Sequence, residues 1–415
     1  MKSFWSFYAF IYDVLNTFSP YVALQAKVVE ALQLIPYLRI GDFGCGTGNT
    51  IRNILRASRW KTEIVAFDAE PAMLVRAAKK TKNDPRVRFV RKKMEDADES
   101  GLFDRIVSVN SLYAVSDLER MFSRWHDMLD DGGIAVVANP FLPSLKPIFG
   151  EFFLEMWRKK DVFSFLLFLV NIPRWIALIL INQYIAGKAK GKIFHFLPPE
   201  DLKVIAARAG FEVSSEEIVY GKGSTLFSFR KNAGKVIRRA HTFREIGECY
   251  RIRYNAYCEG LKSLPGEDYP DKKESDAYDG YAVHFIWEED GSVVGCIRLI
   301  PDYGSGFLLE DGGRYPIPVA LDGERKNILE FSRMAVYPSH RRKNIGYAAA
   351  EYAARWGFER TYCTKWIAMC QERVWDGFMR NGWSVALWGE YRGYHETLSA
   401  PGTLIPPFLN ETRNQ

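Results

Sequence analysis

The sequence predicts an α/β protein of two domains: a doubly wound parallel-sheet domain, then a second α/β domain. Three observations carry this. The chain has 415 residues, more than one hydrophobic core usually organises. From 38 to 139 short β-rich runs alternate with amphipathic helical stretches, the rhythm of a parallel sheet wound on both sides. Near 230 this gives way to the polar, basic stretch RKNAGKVIRRAH (230–241), after which a different order of helices and strands begins. The boundaries read as 1–231 for the first domain, 232–241 for a linker and 242–415 for the second domain.

In the first domain the strands are LRIGDF, TEIVAF, VRFV, DRIVSV and GIAVVA, separated by helices. The N-terminal MKSFWSFYAFIYDVLNTF has aromatics at near-helical spacing and no small-residue cleavage site, so a signal peptide is not expected. An apolar insert, 141–196, follows the fifth strand and places itself as a lid at the carboxyl edge of the sheet, where such folds bind ligands. Pro173 and Arg174 divide its most apolar part, 161–187, into two arms, each shorter than the ~20 residues of a membrane span. Buried or interfacial helices are expected, with 141–187 suited to peripheral contact at the inner membrane surface. PPEDLKVIAARAGFEV then returns to helix and strand.

The second domain opens with a helix over 243–260 and a loop rich in Pro, Gly and Asp. AVHFIWEED and VVGCIRLIP read as strands joined by a tight turn. A strand at 328–337, a helix after Asn344, a strand at KWIAMC, the helix QERVWDGFMRN and a strand from Trp383 complete it.

Composition excludes several classes. Apolar content of 47% and charged content of 26% are those of a chain that folds rather than of a disordered or fibrous one. A net charge of +6 beside 50 acidic residues is not a nucleic-acid footprint. Six cysteines form neither a C-x-x-C pair nor metal-ligand spacing with histidine; reduced core thiols in a cytoplasmic protein are expected, with no zinc site and no disulfide.

Two motifs carry chemistry. In DFGCGTGN, Gly44, Gly46 and Gly48 allow a tight turn from strand to helix and close approach of a ligand. Asp68, 20 residues after Gly48, ends the second strand, where a carboxylate accepts both ribose hydroxyls. Asn49 stands where a dinucleotide fingerprint has its last glycine, which departs from the NAD pattern. Over about 8–230 the chain resembles the class I S-adenosylmethionine-dependent methyltransferases, whose acidic-x-Gly-x-Gly-x-Gly loop is matched by Asp42, Gly44, Gly46 and Gly48. The resemblance implies S-adenosyl-L-methionine as cofactor. It places the methionyl part at Asp42 and the loop, the ribose at Asp68, and the adenine near Met94 and Glu95, with Lys93 where the family often has an acidic adenine contact. Asn110, Tyr113, Tyr8, Tyr12 and His195 are candidates for the mouth of this site; the competing reading of each is a structural hydrogen bonder. No base motif accompanies them. A carboxylate, ionised near pH ~4, needs none, so the reading leans to an O-methylated carboxylate over an amine or hydroxyl.

The second motif is KNIGYA, running from a strand into a helix whose amides suit a phosphate. It resembles the Gcn5-related N-acyltransferases, with Lys343, Gly346 and Ala348 at the loop positions. ESDAYD (274–279), VVGCIRLIP (293–301) and EFSR (330–333), in this order, are similar to the acyl-homoserine-lactone autoinducer synthases and the long-chain N-acyl amino acid synthases over about 243–400. The resemblance implies a charged network of Arg253, Asp276, Asp279, Arg298 and Arg333 over an active cleft, Glu330 as general base and Ser332 as its support; the competing reading is a structural ion network. An amine of pKa ~8 to 10 must lose a proton before it attacks a thioester, which is Glu330's task, with a strand amide at 333–337 for the oxyanion. The resemblance implies acyl-carrier protein (acyl-ACP) or acyl-CoA as donor and leans to the carrier protein, which the resembled families use; Arg341, Arg342 and Lys343 are placed to steer an acidic carrier, the competing reading of such a charge run being a solvated face.

Autoinducer synthases acylate S-adenosylmethionine itself, and carry a Phe and then a Trp after the helix arginine. Here Tyr257 replaces the first, and CEGLKSLPGEDYP has no tryptophan, which leans toward a plain amino acid as acceptor. The whole is similar to bifunctional N-acyl amino acid methyl ester synthases. A homoserine-lactone-type signal synthase, a membrane-bound scaffold with inactive sites and a methyltransferase for an unrelated lipid or quinone stay open at this point.

Overall fold

The computed structural model divides into two compact units, Met1–Ala233 and Gly234–Gln415. All residues are described apart from 1, 59–60, 100–101, 143–145, 160–161, 190–193, 233–236, 303, 305, 314, 341–344, 390–391, 395–396, 408 and 410–415.

The first unit is an α/β domain on one seven-stranded sheet. It contains α1 (Lys2–Tyr12), α2 (Ser19–Ala31), β1 (Arg39–Phe43), α3 (Asn49–Ala57), β2 (Glu63–Asp68), α4 (Pro71–Lys80) and β3 (Val87–Arg91). There follow β4 (Phe103–Val109), α5 (Leu118–Met128) and β5 (Leu129–Pro140). The insert supplies α6 (Lys146–Lys159), α7 (Val162–Val170) and α8 (Ile172–Ala189). Last come α9 (Pro199–Arg208), β6 (Phe211–Val219) and β7 (Ser224–Lys231). The sheet order is β3-β2-β1-β4-β5-β7-β6. β1 to β5 are parallel, whereas β7 runs antiparallel to both β5 and β6.

All seven residues of β4 are buried, the mark of a central strand covered on both faces. Beneath the sheet Phe43, Phe67, Phe103, Phe122 and Trp125 form an aromatic core, with Phe43 stacked on Phe67 at 4.7 Å. The strand order reverses between β1 and β4, so the loop after β1 and the turn after β4 face one crevice at the carboxyl end of the sheet.

The second unit holds β8 (Ile237–Arg239), α10 (Phe243–Tyr254), β9 (Val283–Glu289), β10 (Ser292–Pro301), α11 (Val319–Asp322) and β11 (Ile328–Val336). Next are α12 (Ile345–Thr361), β12 (Lys365–Cys370), α13 (Glu372–Arg380), β13 (Ser384–Leu387), β14 (Arg392–Tyr394) and β15 (Thr397–Ile405). The order is β13-β15-β12-β11-β10-β9-β8, with β14 paired to β15, and β11/β12 is the parallel pair in an otherwise antiparallel sheet. That pair runs only from Ile328↔Lys365 to Phe331↔Ala368. Beyond it β11 stays with β10 while β12 stays with β15, so the two strands part. α12 lies close to the sheet because it presents Ala349, Ala350, Ala353 and Ala354, all fully buried, and Gly357.

The expected linker is corrected in one respect. Residues 237–239 are not connector but strand β8, paired with β9. The basic run looked solvated, yet Arg238 is fully buried because its guanidinium meets Glu245 at 2.7 Å and Glu288 at 2.9 Å. Glu245 also closes a capping box with Thr242 that starts α10.

Gly295 on β10 has no room for a side chain: a Cβ there would lie 1.8 Å from the ring of fully buried Trp287. Gly295→Ala should therefore lower stability by about 1–3 kcal/mol through overpacking, read as a shifted urea midpoint in the transition of the second unit.

Candidate active sites

The crevice of the first unit is built around a turn that only small residues make. Gly44 and Gly46 have φ of +75° and +53°. A Cβ on Gly44 would fall 2.6 Å from that of Ser111 and 3.1 Å from the Met94 sulfur, whereas one on Gly46 would meet nothing within 4 Å. Gly46 thus faces open space, which leaves room for a ligand to approach the backbone.

Two carboxylates flank the turn. Asp68 accepts from the Gly46 amide at 2.9 Å and the Glu70 amide at 2.8 Å. Asp42 is buried at the end of β1, and its Oδ2 has no hydrogen-bond partner. Burial first and the Asp68 charge second push Asp42 up to about 8; burial also raises Asp68. Two neighbouring carboxylates, buried Asp42 short of a partner and half-buried Asp68 held by two amides, attract a cation. This arrangement fits a ligand carrying positive charge and a ribose, the features of S-adenosyl-L-methionine.

The α1 end of the domain folds over the turn. Asp13 accepts from Thr47 at 2.7 Å, and the Lys80 ammonium reaches Asp13, Thr47 and Asn49. Thr47 and Asn49 belong to the glycine motif, whereas no sequence pattern marks Asp13 and Lys80, which meet across 67 residues.

Beside the turn is a cavity of about 60 Å³ walled by Tyr8, Tyr12, Asn110, Tyr113 and Tyr220, and closed by Ile148 of α6 and Leu178, Asn182 and Ile185 of α8. Asn110 has φ +53°, and its buried Oδ1 lacks a partner. The tyrosine rings pack edge to face, Tyr8 on Tyr12 at 5.2 Å and Tyr12 on Tyr21 at 6.2 Å. Burial raises the phenols of Tyr8, Tyr12, Tyr113 and Tyr220 further above their usual range, so all are neutral donors at pH 7. Among the described residues the wall holds no carboxylate, histidine or lysine. His195 meets the site through its main chain, donating to the Tyr113 carbonyl at 2.7 Å, while Phe194 and Phe196 pack on the Tyr113 ring. Met94 lies against Gly44; Glu95 is half-buried and accepts from Ser116.

In the second unit the parting of β11 from β12 opens a cleft of about 250 Å³. Its wall is largely apolar, including Leu261, Leu264, Phe331, Met334 and Phe378, with Glu330 and Ser332 set into it. Glu330 is buried, yet its two oxygens accept the amides of Leu308 at 2.6 Å and Leu309 at 3.2 Å. Burial outweighs these bonds and nearby Arg298, and pushes the carboxyl up to about 8. Tyr257 donates to the Met334 carbonyl at 2.9 Å from the π-helical turn Asn255–Gly260 that prolongs α10.

Behind the cleft, and reaching its wall at Arg333, sits an ion network. Arg253 meets Glu274 and binds Asp279 at 2.6 Å; Arg298 binds Asp276 and Asp279 at 2.7 Å each; Arg333 reaches Glu274 at 3.1 Å and Asp276 at 3.3 Å. Three arginines thus balance three carboxylates, and Asp279, despite burial, is held well below the usual carboxylate range by Arg253 and Arg298. The same Arg298 donates to Ser332 Oγ at 2.9 Å, tying the network to the cleft wall. The site residue overlooked is Glu274, fully buried and shared by two arginines, although it opens the ESDAYD stretch. Arg333 sits at φ +53°, where the β10/β11 register shifts.

Lys343 lies outside the described residues, as do Arg341 and Arg342. Gly346 and Ala348 fall in the first turn of α12, with Ala348 exposed. A Cβ on Gly346 would lie 3.1 Å from the sulfur of Met334, a cleft residue, so the amino end of α12 adjoins the cleft. The cysteines are free; Cys370 lines the cleft, but burial pushes its thiol up to about 12, which disqualifies it as a thiolate nucleophile at pH 7.

Replacing Arg298 by Met should cost about 3–5 kcal/mol, because Asp276 and Asp279 would each lose a buried counter-ion; Arg298→Lys should recover only part, lacking the guanidinium fork. Chemical denaturation of the two variants checks both values.

A family model described as "Methyltransferase domain" matches residues 40–133, and one described as "Acetyltransferase (GNAT) family" matches 246–383. Malonyl-[acyl-carrier protein] O-methyltransferase 1 of Ilyobacter polytropus is 26% identical over 123 residues, 28% of this chain and 46% of that protein. Trans-aconitate 2-methyltransferase of Deinococcus radiodurans is 30% identical over 117 residues, 28% of this chain and 42% of that protein. The chain spans less than half the length of these curated relatives. Among solved structures, N-methyltransferase NodS of Bradyrhizobium japonicum in complex with S-adenosyl-L-homocysteine aligns with a TM-score of 0.36 at 15% identity, over 52% of this chain and 90% of that one. Magnesium protoporphyrin IX methyltransferase of Synechocystis aligns at 0.35 and 16% identity, over 51% and 85%. This chain joins a methyltransferase domain to a GNAT acetyltransferase domain.

Proposed function

We propose that the chain is a bifunctional enzyme that acylates the amine of an amino acid from a long-chain acyl thioester and methylates the carboxylate of the product, giving an N-acyl amino acid methyl ester. The observation that carries this reading is Glu330: a carboxylate with a pKa near 8, set in an apolar cleft beside the amino end of α12. Such a base is matched to an amine. It takes one ammonium proton, the freed amine attacks the thioester carbon, and the C–S bond breaks as the nitrogen's second surplus proton passes to the departing sulfur, so that amide and free thiol form with no acyl-enzyme. The apolar wall suits the acyl tail. The donor proposed is acyl-ACP, with acyl-CoA as the alternative; the run 341–343 is basic and suits an acidic carrier, and one curated relative is named for an acyl-carrier-protein substrate.

For the methyl-transfer half, S-adenosyl-L-methionine supplies, when bound, a methyl group on a cationic sulfur. Asp42, the Gly44–Gly48 turn, Asp68, Met94, Glu95 and Asn110 are the residues proposed to hold it. Supporting a carboxylate acceptor is the cavity wall of neutral tyrosines and asparagine, which orients an anion by hydrogen bonds but offers no base to deprotonate an amine or alcohol. Malonyl and trans-aconitate, the acceptors in the relatives' names, carry carboxylates as well. Among the described residues the wall also offers no counter-ion for an ammonium, so a free amino acid fits it less well than its N-acylated form, which favours acylation first.

Mass spectrometry of lipids from a host expressing the chain tests this. Wild type should give the acylated methyl ester. Glu330→Gln should lose the acylated products by about 10²–10⁴-fold, and Asp68→Ala should accumulate the free N-acyl acid. Acylation without any ester in wild type, or ester formation unchanged by Asp68→Ala, would overturn the second half.

The pH profile of acyl transfer adds an independent check. The base acts as carboxylate, and its pKa is raised to about 8, so kcat/KM should fall about tenfold per unit as pH drops below 8 and level off above it. In Glu330→Gln that ionisation should be missing from the profile.

A further inference from the structure

The helices that close the first cavity are apolar on two sides. On α8, Trp175, Leu178 and Ile185 turn inward and are buried. Along another row of the same helix Ile172, Ile176, Leu180 and Tyr184 recur every fourth residue and stand exposed. None of the nine residues of α7 is buried, although Ser164 is its sole polar side chain. Trp157, near the end of α6, is 83% exposed.

Of the 29 large apolar side chains exposed among the described residues, 14 lie between 142 and 184. Scattered exposed leucines need no explanation, but a concentrated apolar surface marks something that covers it. The outward row of an ordinary lid helix would be polar.

Charge indicates what covers it. The segment 141–196 contains eight basic and three acidic residues, a net of +5 within a chain of +6. Two of the acids are committed to the domain: Glu151 accepts the Gly221 amide at 2.6 Å, and Glu155 accepts the Ser19 hydroxyl at 2.6 Å while pairing with Lys159. Arg158 and Lys159 stand beside exposed Trp157, the residue pairing found at membrane interfaces. No single described helix is long and apolar enough to cross a membrane, and α7 and α8 meet at a 71° bend. At about 1.5 Å per residue, α7 extends roughly 14 Å, about half of a hydrocarbon core.

We propose that α7, with the outward rows of α6 and α8, forms a docking surface for an anionic phospholipid membrane, lying in the interface rather than spanning it. Apolar side chains enter the headgroup boundary, and the surrounding arginines and lysines meet lipid phosphates. This inference is independent of the chemistry proposed above, since it rests on the lid alone.

Flotation of the purified full chain with vesicles tests it. The protein should float with vesicles of equal parts phosphatidylglycerol and phosphatidylethanolamine, and less with phosphatidylcholine alone or in molar salt. Phe163→Glu with Leu166→Glu, both at exposed positions outside the cavity wall, should lower the bound fraction at least about tenfold while leaving the thermal unfolding curve in place. Failure of wild type to float with anionic vesicles, or flotation that the double variant leaves intact, overturns the proposal. So does a wild-type dimer that this variant dissociates in the absence of any flotation, which would assign the face to a second copy of the chain.

Discussion

Taking a carboxylate out of water is the constraint on which both halves of this molecule turn. A buried carboxylate must be neutralised, by cations, by amides or by a proton, and the degree of compensation separates its structural from its chemical uses. Asp279 is fully compensated: two guanidinium groups grip it, it stays ionised, and it holds Arg253 and Arg298 in place. Glu330 receives two amides and no direct cation, so burial prevails and its proton is exchangeable near neutrality. Asp42 has one oxygen with no partner at all. The order Asp279, Glu330, Asp42 is one of decreasing internal satisfaction and of increasing readiness to meet something from outside.

The charged network and the cleft are thereby parts of one object. Arg298 is the link, since one side chain holds Asp276, Asp279 and the Ser332 hydroxyl. The parting of β11 from β12 would expose strand edges to water; instead it occurs where Arg333 takes a left-handed conformation and the register shifts. A bulge secured by buried ion pairs is a rigid way to keep a sheet open, and rigidity is what the proposed acyl transfer requires of a cleft that must position a base.

Legibility in the sequence followed the range of the interactions. The glycine turn and Asp68 could be read because one strand-turn-helix unit contains the loop and the next strand ends in the carboxylate. The hairpin of β9 and β10 could be read because Gly291 stands between two β-rich runs, although its turn is Asp290 and Gly291 at φ +48° and +75°, one residue earlier than the Gly291–Ser292 pair that separates those runs. Strand β8 was misread as connector because the charges that neutralise Arg238 are 7 and 50 residues away, where local pattern cannot see them. Tyr220 and Lys80 were invisible for the same reason: nothing in their own neighbourhood distinguishes a site tyrosine or lysine from any other. Glu274 stood inside a recognised stretch, but its share in two ion pairs depends on Arg253 and Arg333, which lie on either side of it in sequence.

The lid shows where fold and environment part company. Closing a crevice at the sheet edge requires one apolar row, and α8 supplies it through Trp175, Leu178 and Ile185. Nothing about closure requires the outward row to be apolar as well, and an isolated domain in water gains no stability from leaving those side chains exposed. Average hydropathy in the sequence could not distinguish a lid buried on all sides from one buried on a single side, because both have the same composition. Only the placement of α8 against the body of the domain reveals that half of its apolar surface is unused by folding. That unused half is the surface on which the proposed membrane contact rests, and it lies on the same helices that bound the cavity.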